Sequence, residues 1–198
     1  MVGSVSIRGA EFSERREATI SRAFGNVLEI GAGRGANFDL LPAMVDWRGT
    51  EPDQRNIRRL EHRARRAGHF APILNARAEN LPVPDASVDT VLGTFVFCSV
   101  DDVAAVLHEV QRVLAPGGRL LLIDYVGAQP GTRARTVQRA LTPWSVKFMR
   151  GCRLDRDIRD DLASSDFPLV STNELQVRSW PLPDMPVLFF EGHKTTPS

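Results

Sequence analysis

Apolar and polar positions along the chain follow two periods. Residues 26–30 form a short apolar run that ends in glycines, which predicts a first strand. Residues 47–51, 72–75 and 88–98 predict strands two to four, the last rich in Val, Phe and Thr. Residues 119–126 are almost continuously apolar, as expected of a strand buried on both faces. Between these runs the pattern turns helical over 36–44, 53–67 and 101–114. The third of these helices opens with an Asp that can cap free N–H groups. It sets Val103, Val106, Leu107, Val110 and Leu114 on one face, and Pro116-Gly117-Gly118 is expected to stop it. After Gly127 the pattern changes. Residues 132–149 read as a helix interrupted near Pro143, 154–164 as a short helix, and 169–177 and 186–192 as a final pair of strands.

Strand–helix alternation of this kind implies α/β architecture, with helices on both faces of a sheet. The expectation is a Rossmann-like, mostly parallel seven-stranded sheet with an antiparallel hairpin strand at one side. No linker divides residues 1–198, so one domain is expected. At 198 residues, 42% hydrophobic and 25% charged, the chain can bury a substantial core. A net charge of +1 argues against a polyanionic partner, and the arginines of 55–66 read as a solvated helix face. Cys98 and Cys152 form no CxxC pair, which excludes a disulfide framework and a thiolate metal site and fits a reducing, cytoplasmic setting. No apolar run reaches about 18 residues, and residues 1–8 lack a charged start followed by an apolar stretch; neither a membrane partner nor a signal peptide is expected.

Candidate chemistry begins at Glu29-Ile30-Gly31-Ala32-Gly33-Arg34-Gly35. Glycines in a strand-to-helix turn let backbone approach a ligand closely. NAD-binding folds use a related turn spaced GxGxxG around a pyrophosphate. Here the spacing is Gly31-x-Gly33-x-Gly35, and the preceding Glu29 would repel a pyrophosphate but suit a sulfonium or an α-amino group. Glu51 stands twenty residues beyond Gly31 at a strand end, where a carboxylate can accept from ribose hydroxyls. Together these favour S-adenosyl-L-methionine over NAD.

Arg77-Ala78-Glu79-Asn80-Leu81-Pro82, followed by Asp85 and Asp89, resembles the D-A-E-x-L-P-F-x-D-x-S-F-D run of class I methyltransferases of the ubiquinone-biosynthesis type. Leu114-Ala115-Pro116-Gly117-Gly118 completes that resemblance. In that family the loop after strand three touches adenine, which carries over to Ala78 and Glu79, while Arg77 stands where Asp is common. Asp85 and Asp89 themselves read as a turn and a strand start. A narrower resemblance runs through Gly35-Ala36-Asn37-Phe38, Gly93 to Val100, His108 to Leu114, Pro143-Trp144, Phe148, Gly151-Cys152-Arg153-Leu154 and Arg156-Asp157. This order is similar to the methyltransferase-like small-molecule thiol S-methyltransferases and their bacterial relatives. Animal members carry an N-terminal membrane-anchoring segment that this sequence does not show. The resemblance implies a class I methyltransferase fold with an N-terminal helical lid region (1–25), a donor-binding core (26–127) and acceptor-side helices and strands (128–198). The donor-contacting set it implies, joined to the residues above, is Glu29, Gly31, Ala32, Gly33, Gly35, Asn37, Glu51, Pro52, Ala78, Glu79, Thr94 and Phe95.

The acceptor side is less legible. Methyl transfer from a sulfonium needs alignment more than acid–base help, and a thiol with a free pKa of about 8.5 ionises readily. A hydroxyl or protonated amine needs a base. Asp124, at the end of strand five, is the one catalytic candidate, with backbone hydrogen bonding as its alternative role. Tyr125, Trp144, Phe148 and Cys152, with Trp180, are candidates for an apolar acceptor pocket, although aromatics at helical spacing are more often core, and packing is the more common role for a residue such as Cys152. Cys98, His108 and His193 read as structural, and no metal-ligand spacing appears. The expected activity is methylation of a small, rather apolar acceptor, thiol by resemblance, then oxygen or nitrogen, with quinone carbon a further option. The alternative is a donor-binding protein without methyl transfer, acting as a cyclase or regulatory binder. Near-neutral charge and the absence of an Asn/Asp-Pro-Pro-Tyr motif argue against a nucleic-acid substrate.

Overall fold

The structure, a computed structural model, describes residues 9–177 and 184–195. Strand β1 (Asn26–Ile30) lies between β2 (Asp46–Gly49) and β3 (Val88–Thr94), and β4 (Leu114–Tyr125) lies beyond β3. These four are parallel. Strand β6 (Met185–His193) runs antiparallel to β4, and β5 (Leu169–Val177) runs antiparallel to β6. The order β2-β1-β3-β4-β6-β5 reverses direction between β1 and β3. Open α/β sheets bind ligands at such a switch point, outside the carboxyl ends of the strands.

Period-two side chains divide the core into two layers. In β4, Leu121 and Ile123 join Trp47, Leu60 and Phe189 on one face. Leu120 and Leu122 join Leu28, Val106 and Phe190 on the other. The first layer takes α1 (Ala10–Ile20) and α2 (Gln54–Arg66); the second takes α3 (Val103–Val113) and α5 (Arg159–Ala163). Burial on both sides explains the unbroken apolar run in β4. Among the described residues no helix is long and apolar enough to cross a membrane.

Several expected elements are shorter or differently bounded. The described sheet is mostly parallel with β6 as its antiparallel strand, and it has six strands rather than seven because expected strand 72–75 contracts to one parallel bridge, Thr50 with Leu74. Leu74 N–H donates to Gly49 O and Glu51 N–H to Leu74 O, while Pro72 has no N–H to extend the ladder. Expected helix 36–44 contracts to a 3-10 turn, Phe38–Leu40, and Leu41 before Pro42 is extended at ψ 142°. Helix α3 is capped by Asp102, not Asp101, through Ala105 N–H at 3.0 Å. It ends before Pro116-Gly117-Gly118, which lies inside β4 at a register shift and pairs through Gly117 and Gly118 with Lys194. Helix α4 (Arg133–Phe148) runs unbroken through Pro143, and α5 covers five residues of the expected 154–164.

Arg112 on α3 ties the segment before β3 to the helix. Its guanidinium donates to Leu81 O (2.8 Å), Val83 O (2.9 Å), Asp85 (2.6 Å) and Glu109 (2.8 Å). Glu109 in turn accepts Leu81 N–H at 2.7 Å. Replacing Arg112 by Ala orphans two partly buried carbonyls, so urea unfolding is expected to show a loss of about 1–3 kcal/mol. Arg112→Lys recovers only part of it, lacking the planar fork.

Candidate functional site

Loops from the carboxyl ends of β1, β2 and β3 enclose a cleft of about 440 Å³ at the switch point. Gly31 forms its floor together with Glu51, Pro52 and Asp53 after β2. One wall is residues 76–79; another is Phe95, Val96, Ser99 and Val100 after β3; Arg150, beyond α4, completes it. Six of the twelve expected donor-contacting residues line it directly: Gly31, Glu51, Pro52, Ala78, Glu79 and Phe95.

The glycine turn needs its glycines. Gly31, Gly33 and Gly35 have φ of 60°, 60° and 70°, and a Cβ on Gly31 would lie 2.7 Å from Val96 Cγ2. Its amides are engaged within the protein. Gly31 N–H meets Thr50 Oγ1 (3.2 Å), Ala32 N–H meets Thr50 O (2.9 Å), Gly33 N–H meets Glu51 Oε2 (2.8 Å) and Gly35 N–H meets Ala32 O (2.9 Å). With only a 3-10 turn behind it, the expected helix start and its donors are missing. The turn is therefore a poor pyrophosphate cradle, which agrees with the choice against NAD.

Glu51 is 3% exposed and lies at the cleft edge. Its carboxylate accepts from Gly33 N–H (2.8 Å), Asp53 N–H (2.9 Å) and Asn56 Nδ2 (3.3 Å). An ionised carboxylate has about four lone-pair sites, so about one remains. Glu29 does not reach the cleft. It is buried beneath the turn, accepting from Asn37 Nδ2 and Trp47 Nε1, both at 2.8 Å. Asn37 Nδ2 also donates to Thr94 Oγ1 (2.9 Å), and Asn37 Oδ1 accepts from Arg16 of α1. Buried Glu29 and Asn37 and half-buried Thr94 thus form one support under the turn rather than a lining. Burial pushes the Glu29 carboxyl up to about 7, against the pull of its two donors and Arg16.

Glu79 accepts Asp101 N–H at 2.8 Å and pairs with Arg77, which also pairs with Asp101. Phe95 takes a left-handed φ of 56°, which ends β3 and turns the chain along the cleft. Asp124 holds that loop: its carboxylate accepts from Val96 (2.7 Å), Phe97 (2.6 Å) and Cys98 (3.2 Å) N–H groups. It is fully buried and does not line the cleft; burial raises it to about 6 despite those bonds. Of the acceptor candidates, Tyr125 is buried with its ring 4.8 Å from Phe95. Trp144 and Phe148 pack on each other at 5.6 Å on the outer surface of α4, half exposed and away from the cleft. Cys152 is buried against Cys98, whose thiol is pushed well above its ordinary value by hydrogen bonding to Cys152 and by burial. Trp180 lies outside the described residues. Sequence reasoning missed Asp53, Ala76, Val96, Ser99, Val100 and Arg150. Arg150 has φ 57° ahead of Gly151 at φ 85°, and its Nη2 lies 3.6 Å from Asp53. Its one signal is an Arg-Gly step closing a long helical pattern.

Residues 28–122 match the family model described as a methyltransferase domain. Thiol S-methyltransferase TMT1B of Rattus norvegicus is 33% identical over 160 residues, 79% of this chain; the chain spans just under two thirds, 64%, of that relative. Thiol S-methyltransferase TMT1B of Homo sapiens is 30% identical, with 87% of this chain and 70% of the relative covered. The crystal structure of the [4+2]-cyclase SpnF superposes with a TM-score of 0.74 at 16% identity, over 94% of this chain and 81% of that one, a likeness of fold. With its switch-point cleft, glycine turn and buried strand-end carboxylate, the chain belongs to the class I S-adenosylmethionine-dependent methyltransferases.

Proposed function

We propose that this protein transfers the donor methyl group to a small, rather apolar acceptor, with a thiol favoured over oxygen or nitrogen. The observation that carries the donor half is Glu51, buried at the cleft edge, fixed by three donors and keeping acceptor capacity for a ribose hydroxyl. Ala78 and Glu79 border the adenine side, Gly31 supplies backbone contact surface, and Phe95 borders the methyl end. Bound there, the sulfonium supplies an already activated methyl carbon. What remains for the chain is to orient two reactants and to shield them from water.

The acceptor preference rests on what surrounds the cleft. Asp124 spends its carboxylate on three backbone amides, and Glu79 is occupied by Arg77 and Asp101 N–H. Neither is set to take a proton from an alcohol or an ammonium. A thiol needs no such partner: its proton goes to solvent, the thiolate sulfur forms the new S–C bond, and the donor's S–C bond breaks to leave a neutral thioether. Both TMT1B relatives bear the name thiol S-methyltransferase, in line with this preference. The cyclase name of one structural neighbour keeps a second reading open, donor binding without methyl transfer.

Calorimetric titration with S-adenosylhomocysteine should show saturable binding. Glu51→Ala should weaken it by about 1.5–3 kcal/mol, the worth of hydrogen bonds to a charged group; unchanged affinity removes the ribose role. Incubation with methyl-labelled donor and a panel of thiols, phenols, amines and quinols should place label first in thiols. Binding without labelled product from any of them favours the second reading.

A further inference from the structure

Beside the donor cleft lies a box of three aromatic rings, already filled by a side chain from the N-terminal helix. Phe95, which lines the cleft, has its ring centroid 4.8 Å from that of Tyr125. Phe12 of α1 projects between Phe95 and Phe189, with ring centroids at 6.3 and 5.9 Å. All four rings belong to the same apolar layer, and Phe12 is 7% exposed. These separations fall in the range at which aromatic rings attract each other beyond simple burial.

Helix α1 is held unevenly. Its carboxyl end is anchored: Ile20 is fully buried, and Arg22 just beyond pairs with Glu191 at 2.9 Å. Its amino end has no side-chain cap at Gly9, and the buried residues of the helix are Phe12 and Ile20 alone. Among the described residues, Arg16 adds the tie beyond the helix, one nitrogen donating to Ala36 O (2.6 Å) and Asn37 Oδ1 on the far side of the glycine turn. Residues 22–25 are tied to the sheet as well, Phe24 through Thr90 Oγ1 and Gly25 O through Asp46 N–H, so movement confined to the amino-terminal turns of α1 would withdraw Phe12 while Ile20 and the segment after it stay in place.

We propose that the box of Phe95, Tyr125 and Phe189 is the acceptor chamber, that its ligand is an aromatic ring, and that Phe12 occupies the place that ring takes. An arenethiol is the class that fits both this box and the preferred chemistry. The inference rests on the donor cleft assigned above: a ring in Phe12's position packs on Phe95, and Phe95 lines that cleft. Arg16 latches the plug to the turn over Glu29 and Asn37, so chamber and donor loop are tied through one guanidinium.

The test uses methyl phenyl sulfide, the inert methylated form of an arenethiol, titrated calorimetrically into the full chain saturated with S-adenosylhomocysteine. A plug that must leave lowers apparent affinity by the open fraction, so Phe12→Ala should tighten binding about tenfold while leaving S-adenosylhomocysteine affinity unchanged. Arg16→Ala, which frees the latch without emptying the box, should shift it in the same direction, and Phe189→Ala should weaken it. Equal affinity in the parent and in both Phe12→Ala and Arg16→Ala overturns the proposal, as does no binding to any of them at millimolar ligand. The two readings fail separately. Tightening by Phe12→Ala without labelled product from any acceptor defeats methyl transfer alone. Turnover of arenethiols with a KM indifferent to Phe12→Ala defeats the chamber alone.

Discussion

A carboxylate at the end of β2 and an amide in the turn after β1 hold each other at 2.8 Å, and the cleft takes its shape from that pair. Glu51 sits where the parallel pairing of β1 with β2 brings two strand ends side by side. Its bond to Gly33 keeps the glycine turn folded across the strand ends, and its bond to Asp53 sets the entry to α2. Moving Glu51 would release the turn and the start of the helix together. Glu29, buried below, supports the same turn from the other side through Asn37. Two carboxylates thus frame one loop, one from within the core and one from the cleft.

Much of this was readable in residue order because strand-end positions recur at fixed places. A glycine turn after an apolar run and an acid at the end of the next strand mark the cleft to which the donor is assigned, and Glu51 stands at the strand end where that reading placed it. The roles of Glu29, Asn37 and Thr94 were not readable: spacing puts them near the turn but does not say which way the side chains point. They face inward because Trp47 and Thr94 supply polar partners there. The seventh strand was overestimated for a local reason, since apolar character at 72–75 does not restore the donor that Pro72 lacks. The Pro-Gly-Gly step misled similarly. It marks a break in β4 pairing that Lys194, distant in sequence, makes good. Arg150 left only the Arg-Gly step as a signal, because its place at the cleft depends on the long return of α4.

The acceptor side illustrates how aromatic residues divide between surface and core. Trp144 and Phe148 carry the more suggestive sequence pattern, yet they stack outward on α4, away from the cleft. Phe12 and Phe189 attracted no notice in the sequence and meet only because α1 and β6 pack on the same face of the sheet. Asp124, the sequence candidate for a base, is engaged by the backbone amides of the loop that follows Phe95, its alternative role in the sequence reading.

Hydrogen–deuterium exchange of the full chain, with and without saturating S-adenosylhomocysteine, tests the placement of the donor most directly. Slowed exchange is predicted in three segments that are far apart in sequence: 31–35, 76–79 and 95–100. Protection confined to other segments, with these three unchanged, would contradict the account.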